Sequence, residues 1–413
     1  PPEGPSGLFV VNPPYGERLG EAGELGPLYS QLGDVLKHRF PGWSAWVLSG
    51  NRALDKRIGL RPASRRVVMN GPIECRWLEI PIGERAKTGG DGPGWRKTSA
   101  EAEMFENRLR KNHKRLSRWA LQNETSAYRL YDADIPEFNV AVDVYGDDLV
   151  RVEEYRRPKK VEEATADRRL RDVMLVVPQV LGVRPNDVVL RVRGRGGEKP
   201  QIERRGDSGT LHPVYDGQEI FLVNLQDYLD TGLFLDDRDL RRRIRSTVGE
   251  GRFLNLFCHT GAASVSAAAG GARSTTSVDL SRRYLDWARE NFQANELDLR
   301  SHEFVKADAL RWLRNAGKGH ERWDLVLLAP PTYSRSKGMD DEFDVQRDHV
   351  RVIEDAAALL AKGGELLFTT NLRTFALDEL ALRGLRAEEI TAAVTPLDFT
   401  KKPRIRAWSI KRS

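Results

Sequence analysis

The stretch YLDTGLFLDDRDLRRRIRSTVGEGRFLNLFCHTGAASVSAAAGGARSTTSVD, residues 228–279, decides the fold of this 413-residue chain. Residues 253–257 are a short apolar run that predicts a β-strand, and residues 262–269 are small and helix-forming. A turn over 258–261 joins them, and a second strand-like run over 275–278 ends at Asp279. The stretch therefore predicts a strand, loop, helix and strand unit.

An adenosine cofactor suits such a unit. The helix N-terminus offers unpaired backbone N–H groups, and an acidic residue that ends the second strand, about 20 residues on, accepts from the ribose hydroxyls. This loop keeps only Gly261 of the G-x-G-x-x-G pattern, so a pyrophosphate would be poorly held. S-adenosylmethionine has no pyrophosphate, and we expect a methyltransferase rather than a dehydrogenase. An ordinary strand-to-helix turn is the alternative for the loop alone.

Later segments extend the sheet. Asp308 follows a strand-like run over 303–305, where it could accept from an adenine amine, and the apolar run 323–328 leads directly into Ala329. The sequence predicts a helix over about 345–361 and a strand over 365–370, and it ends in two alternating runs, 388–394 and 404–410, that read as an antiparallel pair. We therefore predict an α/β fold with a class I (Rossmann-like) methyltransferase sheet and an antiparallel terminal hairpin.

Charge and composition limit the class of protein. The formal net charge is +6 and the sequence pI is about 9.2, which favours a polyanionic partner. The two cysteines, Cys75 and Cys258, lie far apart and form neither a disulfide framework nor a metal site, as is typical of a reducing cytosol. No apolar run approaches the length of a membrane span, and residues 1–7 lack the pattern of a signal peptide. We expect a cytoplasmic protein without a metal or a membrane partner.

A second motif stands near the start of the chain, where the strand-like run 7–11 leads into Asn12, Pro13, Pro14 and Tyr15. The exocyclic amine of a base is a poor nucleophile. An asparagine oxygen and a backbone carbonyl that accept its two N–H groups hold the nitrogen toward a methyl donor, while a tyrosine stacks on the extruded base. A proline-rich turn at a strand end is the alternative.

The elements after this motif are those that end a methyltransferase sheet, and only eleven residues precede it. We expect the sequence to begin inside a longer protein, with residues 1–82 as a C-terminal fragment that lacks its own cofactor loop. Residues 83–99 are rich in Gly, Lys, Thr and Arg without periodicity, which predicts a linker.

Residues 100–227 predict a small α/β RNA-binding cap domain before the catalytic domain, residues 228–413. It begins with a basic amphipathic helix over 100–122, whose charges suit either solvent or phosphates. Arginine and glycine are interleaved over 193–197 and 204–206. This pattern is equally consistent with contact to a nucleic-acid backbone and with a solvated loop.

Read together, these strings resemble the RlmKL family, the fused bifunctional 23S rRNA guanine methyltransferases of bacteria. NPPYGERL resembles the end of the half that methylates guanine N2. LYDADIPEFNVAVD, VNLQDYLDTGLFLDDR, NLFCHTGAASV and FDVQRDH resemble the complete half that methylates guanine N7. The resemblance implies S-adenosylmethionine as the methyl donor and 23S rRNA as the partner, and it leaves the oligomeric state and the target guanine open.

The resemblance also implies two sets of site residues in this chain. The residues expected to hold the cofactor are Phe234, Asp236, Arg238, Asn255, Phe257, Thr260, Gly261, Asp279, Leu280, Asp308 and Ala309. The residues expected to shape the guanine pockets are Ala329, Pro330, Pro331, Thr332 and Tyr333, with Asn12, Pro13, Pro14 and Tyr15 in the first half.

The chain departs from the family where Asp-Pro-Pro becomes Ala329-Pro330-Pro331, since a carboxylate there would stabilise charge that develops on the base or hold the donor's ammonium. Cys258-His259 replaces Ser-Tyr in the cofactor loop, and the basic residue that follows the asparagine of strand five has moved to Arg373.

Guanine N7 carries an in-plane lone pair and no proton. Its methylation therefore needs a flipped base placed in line with the methyl donor, but no general base.

We expect slow N7 methylation of 23S rRNA, with N2 methylation only in a full-length chain. The first alternative is a non-catalytic rRNA-binding or assembly module, because Ala329 and the missing first cofactor loop both indicate lost chemistry. An N6-adenine DNA methyltransferase, suggested by residues 12–15, is a weaker alternative. A cytosine-C5 enzyme is disfavoured, since Thr332 rather than a cysteine stands beside the prolines.

Overall fold

The computed structural model describes residues 6–14, 22–40, 42–71, 73–82, 100–155, 161–192, 209–228, 230–334 and 342–413. The chain divides into two compact units, residues 1–96 and residues 97–413, each with its own core. The predicted linker, Tyr15 and the arginine-glycine run lie outside the described residues.

The first unit is a four-stranded sheet with helices. Its elements are β1 (Leu8–Val11), α1 (Ala22–Arg39), β2 (Ser44–Ser49), α2 (Arg52–Arg57), β3 (Ser64–Asn70) and β4 (Ile73–Pro81). The strand order is β1-β2-β4-β3, with β1 parallel to β2 and with β4 antiparallel to both of its neighbours. Alternate residues of β2 are buried, and Ala45 and Val47 pack in a core with Leu78 and Ile80.

The second unit begins with the segment predicted as a cap. Its elements are α3 (Ala100–Gln122), β5 (Ala127–Asp132), β6 (Val140–Tyr145), β7 (Leu149–Glu154), α4 (Glu163–Leu181), β8 (Val188–Val192), β9 (His212–Asp216) and β10 (Glu219–Val223). The strands β5 to β8 form one sheet in chain order, and β9 pairs with β10 as a hairpin. Helix α3 buries Phe105, Leu109 and Leu116 against this sheet, whereas Met104 is exposed.

The rest of the unit alternates helices and strands around a larger sheet. Its elements are α5 (Arg238–Thr247), β11 (Arg252–Leu256), α6 (Ala262–Ala269), β12 (Ser274–Asp279), α7 (Arg282–Ala294), β13 (His302–Lys306), α8 (Ala309–Ala316), β14 (Trp323–Leu328), β15 (Tyr333–Ser334), β16 (Phe343–Asp344), α9 (Val345–Ala358), β17 (Leu360–Thr370), β18 (Leu385–Glu389) and β19 (Arg406–Arg412).

The seven strands of this sheet run in the order β13-β12-β11-β14-β17-β19-β18, and β19 is antiparallel to both of its neighbours. The first five strands are parallel, and their apolar residues are covered by helices on both faces. Strand order reverses between β11 and β14, which is where open α/β sheets bind ligands. The predicted fold class, including the reversed terminal hairpin, is confirmed.

The bounds of the terminal hairpin differ from the prediction. Strand β18 ends at Glu389, and Thr391–Val394 forms a 3₁₀ turn rather than strand. The Thr391 hydroxyl oxygen accepts a hydrogen bond from the Ala407 amide at 3.0 Å. A side chain, rather than a strand pairing, therefore holds this turn against the start of β19. Within the described ranges, no helix has the length and apolarity needed to cross a membrane.

Candidate active site

A cleft opens at the carboxyl edge of the large sheet, beside the point where the strand order reverses. It contains roughly 780 Å³ of space between atoms, part of it open to solvent. Its walls come from the segment before α5, the loop after β11, the start of α6 and the ends of β14 and β17. The lining residues that the sequence predicted are Phe234, Asp236, Asn255, Phe257, Thr260, Ala329 and Pro330.

The loop after β11 has an unusual backbone. Phe257, His259 and Gly261 have φ angles of 62°, 52° and 71°, in the left-handed region. A Cβ on Gly261 would lie 2.7 Å from the Ala288 Cβ of α7, so close packing of α7 adds to the need for glycine. The Thr260 hydroxyl donates to the Gly232 carbonyl at 2.5 Å, and Asn291 donates to the Thr260 carbonyl at 2.8 Å. The loop is therefore held rigidly beside the cleft.

Two acidic residues end neighbouring strands beside this loop. The Asp279 carboxylate accepts from the His259 amide at 2.9 Å and from the Ser281 amide at 2.8 Å. Burial raises its pKa, although these two amides act in the opposite direction. The Ala307 amide donates to the Asp279 carbonyl at 3.1 Å, which brings Asp308 next to Asp279 along the edge. The two acids that the sequence paired thus lie on one edge of the sheet.

Asp308 begins α8 as its N-cap, because its side chain accepts from the Arg311 amide at 2.8 Å. Leu280 is 39% exposed, and Ala309 is buried at the start of α8. The four residues at these strand ends, Asp279, Leu280, Asp308 and Ala309, do not line the cleft.

Asn255 is buried in the middle of the cleft floor. Its amide donates to the Ser264 hydroxyl at 2.9 Å, and that hydroxyl bonds to the Ser277 hydroxyl at 2.8 Å. The three side chains connect β11, α6 and β12, so the amide has one fixed orientation toward the cleft.

Two adjacent acidic residues of the segment before α5, Asp236 and Asp237, line the cleft. Burial raises the pKa of Asp236. Burial, and then the charge of Asp236, raises the pKa of Asp237 to about 7. Asp237 was not predicted from the sequence, and neither was Arg241, whose guanidinium donates to the Phe234 carbonyl at 2.7 Å and to Asp216 at 2.6 Å.

Arg238, which the sequence places among the cofactor residues, lies away from the cleft lining. Its side chain does not line the cleft but is fully buried, donating to Asp398 at 2.7 Å and to the Ala127 carbonyl at 2.6 Å. Asp398 also accepts from the Arg129 amide of β5 at 2.9 Å. Arg238 therefore joins α5 to the first sheet of the second unit.

The proline strip, residues 329–333, lies partly in the cleft and partly at its rim. Ala329 and Pro330 line the cleft, Pro331 is exposed, and Tyr333 is 54% exposed in the short strand β15. The Thr332 carbonyl accepts from the Val345 amide at 3.0 Å, which fixes the strip to the start of α9.

The sequence gave no role to His259 beyond noting the substitution, yet it is central to the loop. Its ring lies between those of Phe234 and Tyr284, with centroid distances of 4.8 Å and 4.2 Å, and its Nε2 lies 3.3 Å from Asp230. Burial opposes the charge of Asp230, but His259 and Tyr284 lower its pKa overall. Thr369, Thr370 and Asn371 at the end of β17 also line the cleft. The partners of His259 are distant in sequence, so no local pattern indicated them.

In the first unit, Asn12 and Pro14 are exposed and Pro13 is buried, directly after β1. Tyr15 lies outside the described residues, so the complete motif is not placed.

The cleft suits S-adenosylmethionine by its chemistry. Its two carboxyl groups, Asp236 and Asp237, suit a ligand with cationic groups, and the small residues Ala262 and Ala263 leave the start of α6 open to a ligand. Among the described residues, no group of three or more His, Cys, Asp or Glu is arranged to hold a metal ion.

Two family models match the chain. Residues 134–397 match the family of S-adenosylmethionine-dependent methyltransferases, and residues 1–79 match the RMKL-like methyltransferase domain.

Curated relatives match over nearly all of the sequence. The ribosomal RNA large subunit methyltransferase K/L of Chromohalobacter salexigens is 47% identical over 416 residues, 97% of this chain and 56% of the relative. The protein of that name from Pseudomonas aeruginosa is 45% identical over 425 residues, 99% of this chain and 58% of the relative. The resemblance drawn from the sequence is confirmed. The chain spans somewhat more than half the length of these relatives.

A solved methyltransferase from Streptococcus mutans superposes with a TM-score of 0.59 at 21% identity, covering 98% of this chain and 99% of that one. Another structure with the same values is described as a methyltransferase complexed with SAH. At this identity the likeness shows the fold.

Proposed function

The chain belongs to the S-adenosylmethionine-dependent methyltransferase family, and from that premise we propose that its C-terminal sheet methylates N7 of a guanine in 23S rRNA. The single observation that carries the proposal is the cleft, which brings the loop after β11 and the proline strip after β14 to one cavity. A methyl donor held by the loop would present its methyl group toward a base held by the strip.

The residues proposed to hold the donor lie on three strand ends. Asp279 would accept from the ribose hydroxyls, since its two backbone donors leave lone pairs on both oxygens. Asp308 would border the adenine amine, while Asn255 and Thr260 would contact the amino-acid end from the cleft floor. Bound there, S-adenosylmethionine supplies an electrophilic methyl group on a sulfonium.

The protein contributes to the reaction by placing guanine N7 in line with the methyl group of the donor. N7 of guanine has a free lone pair, so no residue needs to remove a proton. Pro330 and Tyr333 offer flat surfaces to a flipped guanine, and the ordered strip would hold N7 in line. Burial raises the pKa of Cys258 well above its ordinary value, which disfavours a thiolate and supports a mechanism without a covalent intermediate.

The proposed partner is the large-subunit rRNA, through helix α3. Its exposed residues Lys111, Lys114, Arg115 and Arg118 follow one another at helical spacing along one side. No ion pair with an acidic side chain is found for these four in the described part of the chain, whereas Arg110 pairs with Glu106 at 2.9 Å. Unpaired cations in a row suit the phosphates of a nucleic-acid backbone.

The proposal is tested by transfer of a labelled methyl group from S-adenosylmethionine to 23S rRNA that lacks the modification. We expect label in the rRNA with the unchanged chain and much less with Asp279→Asn. The same rRNA already modified in vivo is the control and should accept no label. Absence of transfer despite measurable donor binding would refute the proposal.

The second candidate function is an rRNA-binding or assembly module without catalysis. Ala329 favours it, because a small apolar side chain occupies the cleft position where the family carries a carboxylate. Calorimetry with the donor, filter binding with the rRNA and the transfer assay distinguish the two candidates. Binding of both ligands without transfer, together with transfer restored by Ala329→Asp, would favour the module.

The N2 reaction of the first unit is proposed only for a chain of the relatives' full length. The last four strands of the second unit's sheet, β14-β17-β19-β18, repeat the order and directions of β1-β2-β4-β3. This repetition supports the assignment of the first unit as the closing half of a similar sheet.

A further inference from the structure

The cleft contains more negative charge than its own residues compensate. Asp236 and Asp237 both line it, and Arg241 is the cationic side chain among its lining residues. The Arg241 guanidinium is already bonded to the Phe234 carbonyl and to Asp216, outside the acid pair. A cationic ligand would therefore complete the charge balance of this wall.

Burial raises the pKa of Asp236, but three guanidinium groups, those of Arg129, Arg404 and Arg241, act in the opposite direction. Of these, Arg241 is the one that also acts on Asp237. Asp237 is therefore the better placed of the two acids to receive a cationic ligand. It stands at the N-cap of α5, yet its side chain accepts no cap hydrogen bond. In the described ranges of the chain, its carboxylate has no side-chain hydrogen bond and no ion pair. A half-buried carboxylate without donors is costly, and the arrival of an ammonium group would supply them.

The proline strip that follows β14 carries no carboxyl group. Ala329 lines the same cleft at the end of β14 and packs against the apolar cluster of β11 and α5. The cleft thus has no carboxyl group on the proline strip, whereas the segment before α5 contributes Asp236 and Asp237 to its lining.

We propose that Asp237 binds the protonated amino group of the donor's amino-acid moiety, in place of a carboxylate at Ala329. The inference rests on the proposed function and names one contact within its site. It makes Asp237 a binding and positioning residue, which holds the donor so that its methyl group stays directed at the base.

Donor binding is then coupled to a proton. The titratable and charged groups that face Asp237 are Asp236, Arg241 and His259. Burial, and then the charge of Asp236, raises the pKa of Asp237 to about 7. A bound cation favours the ionised form, so binding near neutral pH releases a proton and affinity increases as the pH rises through about 7. In a chain without this carboxyl the release should disappear.

The test is calorimetric and needs no turnover. S-adenosylhomocysteine carries the amino group, whereas 5′-methylthioadenosine has the same nucleoside without the amino acid. In Asp237→Asn we expect affinity for the first to fall about tenfold or more, and affinity for the second to stay within about twofold. Titrations in two buffers of different ionisation enthalpy should show proton release for the unchanged chain alone.

Asp239→Asn is the matched control. Asp239 lies two residues further along in α5, pairs with Arg242 at 3.4 Å and does not line the cleft. We expect this variant to bind both ligands as the unchanged chain does.

If Asp237→Asn loses the same affinity for both ligands, or loses none for either, the inference about Asp237 is overturned. The proposed function is not affected by that result. Failure of the unchanged chain to bind S-adenosylhomocysteine at all would instead contradict the proposed function. Retained binding of 5′-methylthioadenosine in Asp237→Asn shows that the variant is folded.

Discussion

The packing of α6 against α7 gives a quantitative prediction about the cofactor loop. Gly261→Ala introduces a Cβ at a φ of 71°, and that atom would lie 2.7 Å from the Ala288 Cβ. The left-handed conformation costs an alanine about 1–2 kcal/mol. The overlap adds roughly 1–3 kcal/mol, because two close-packed helices must separate. We therefore expect the free energy of unfolding to fall by about 2–5 kcal/mol.

Gly217→Ala separates the two contributions. Gly217 has a φ of 62° in the turn between β9 and β10, and a Cβ there would meet nothing within 4 Å. This variant should lose only the conformational part, about 1–2 kcal/mol. Ala288→Gly in the Gly261→Ala background removes the overlapping atom and should recover the remainder, although the glycine itself costs a helix about 1 kcal/mol.

The assay is urea unfolding followed by circular dichroism, together with calorimetric titration of S-adenosylhomocysteine. The loop borders the cleft, so Gly261→Ala should also weaken ligand binding, and Gly217→Ala should not. Equal destabilisation by the two single changes would refute the reasoning, since only one of them creates an overlap. Failure of Ala288→Gly to recover stability would locate the damage elsewhere.

Three further predictions concern stability and RNA binding. Asp398→Asn removes the nearer of the two charge partners of the buried Arg238, leaving Asp216 at 3.6 Å, and should cost about 1.5–3 kcal/mol in urea unfolding, whereas Asp298→Asn removes an exposed pair and should change little. Glu365 is buried, but Ser409 and Arg243 lower its pKa, so its contribution is present above the unfolded pKa and lost as pH falls through the folded one. Glu365→Gln should therefore destabilise at neutral pH and progressively less in acid; a constant difference would contradict this. Lys114→Gln should lower rRNA affinity and reduce the slope of log affinity against log salt by about one, with donor affinity unchanged.

Much of the sheet could be predicted from the sequence. Strands β11 and β14 are continuous apolar runs, and such runs are buried in a parallel sheet whichever residues surround them. The acids that follow β12 and β13 lie at one edge for the same reason, since parallel strands end together. The terminal hairpin was less predictable, because the Thr391 hydroxyl, rather than the backbone pattern, ends β18 early.

The walls of the cleft were harder to predict. Helix α5 is rich in arginine, yet Arg238 and Arg241 are buried because Asp216 and Asp398 approach from distant segments. The same packing places Asp237 in the cleft. In α3, Phe105 lies on the buried face with Leu109 and Leu116, whereas its neighbour Met104 is exposed, because adjacent residues of a helix point in different directions.

The most direct test of the central claim is nucleoside mass spectrometry of 23S rRNA after incubation with this chain and S-adenosylmethionine. The account predicts the appearance of 7-methylguanosine, absent when donor or protein is omitted. Methyl groups found only at guanine N2, or no new methylated nucleoside although the donor binds, would contradict it.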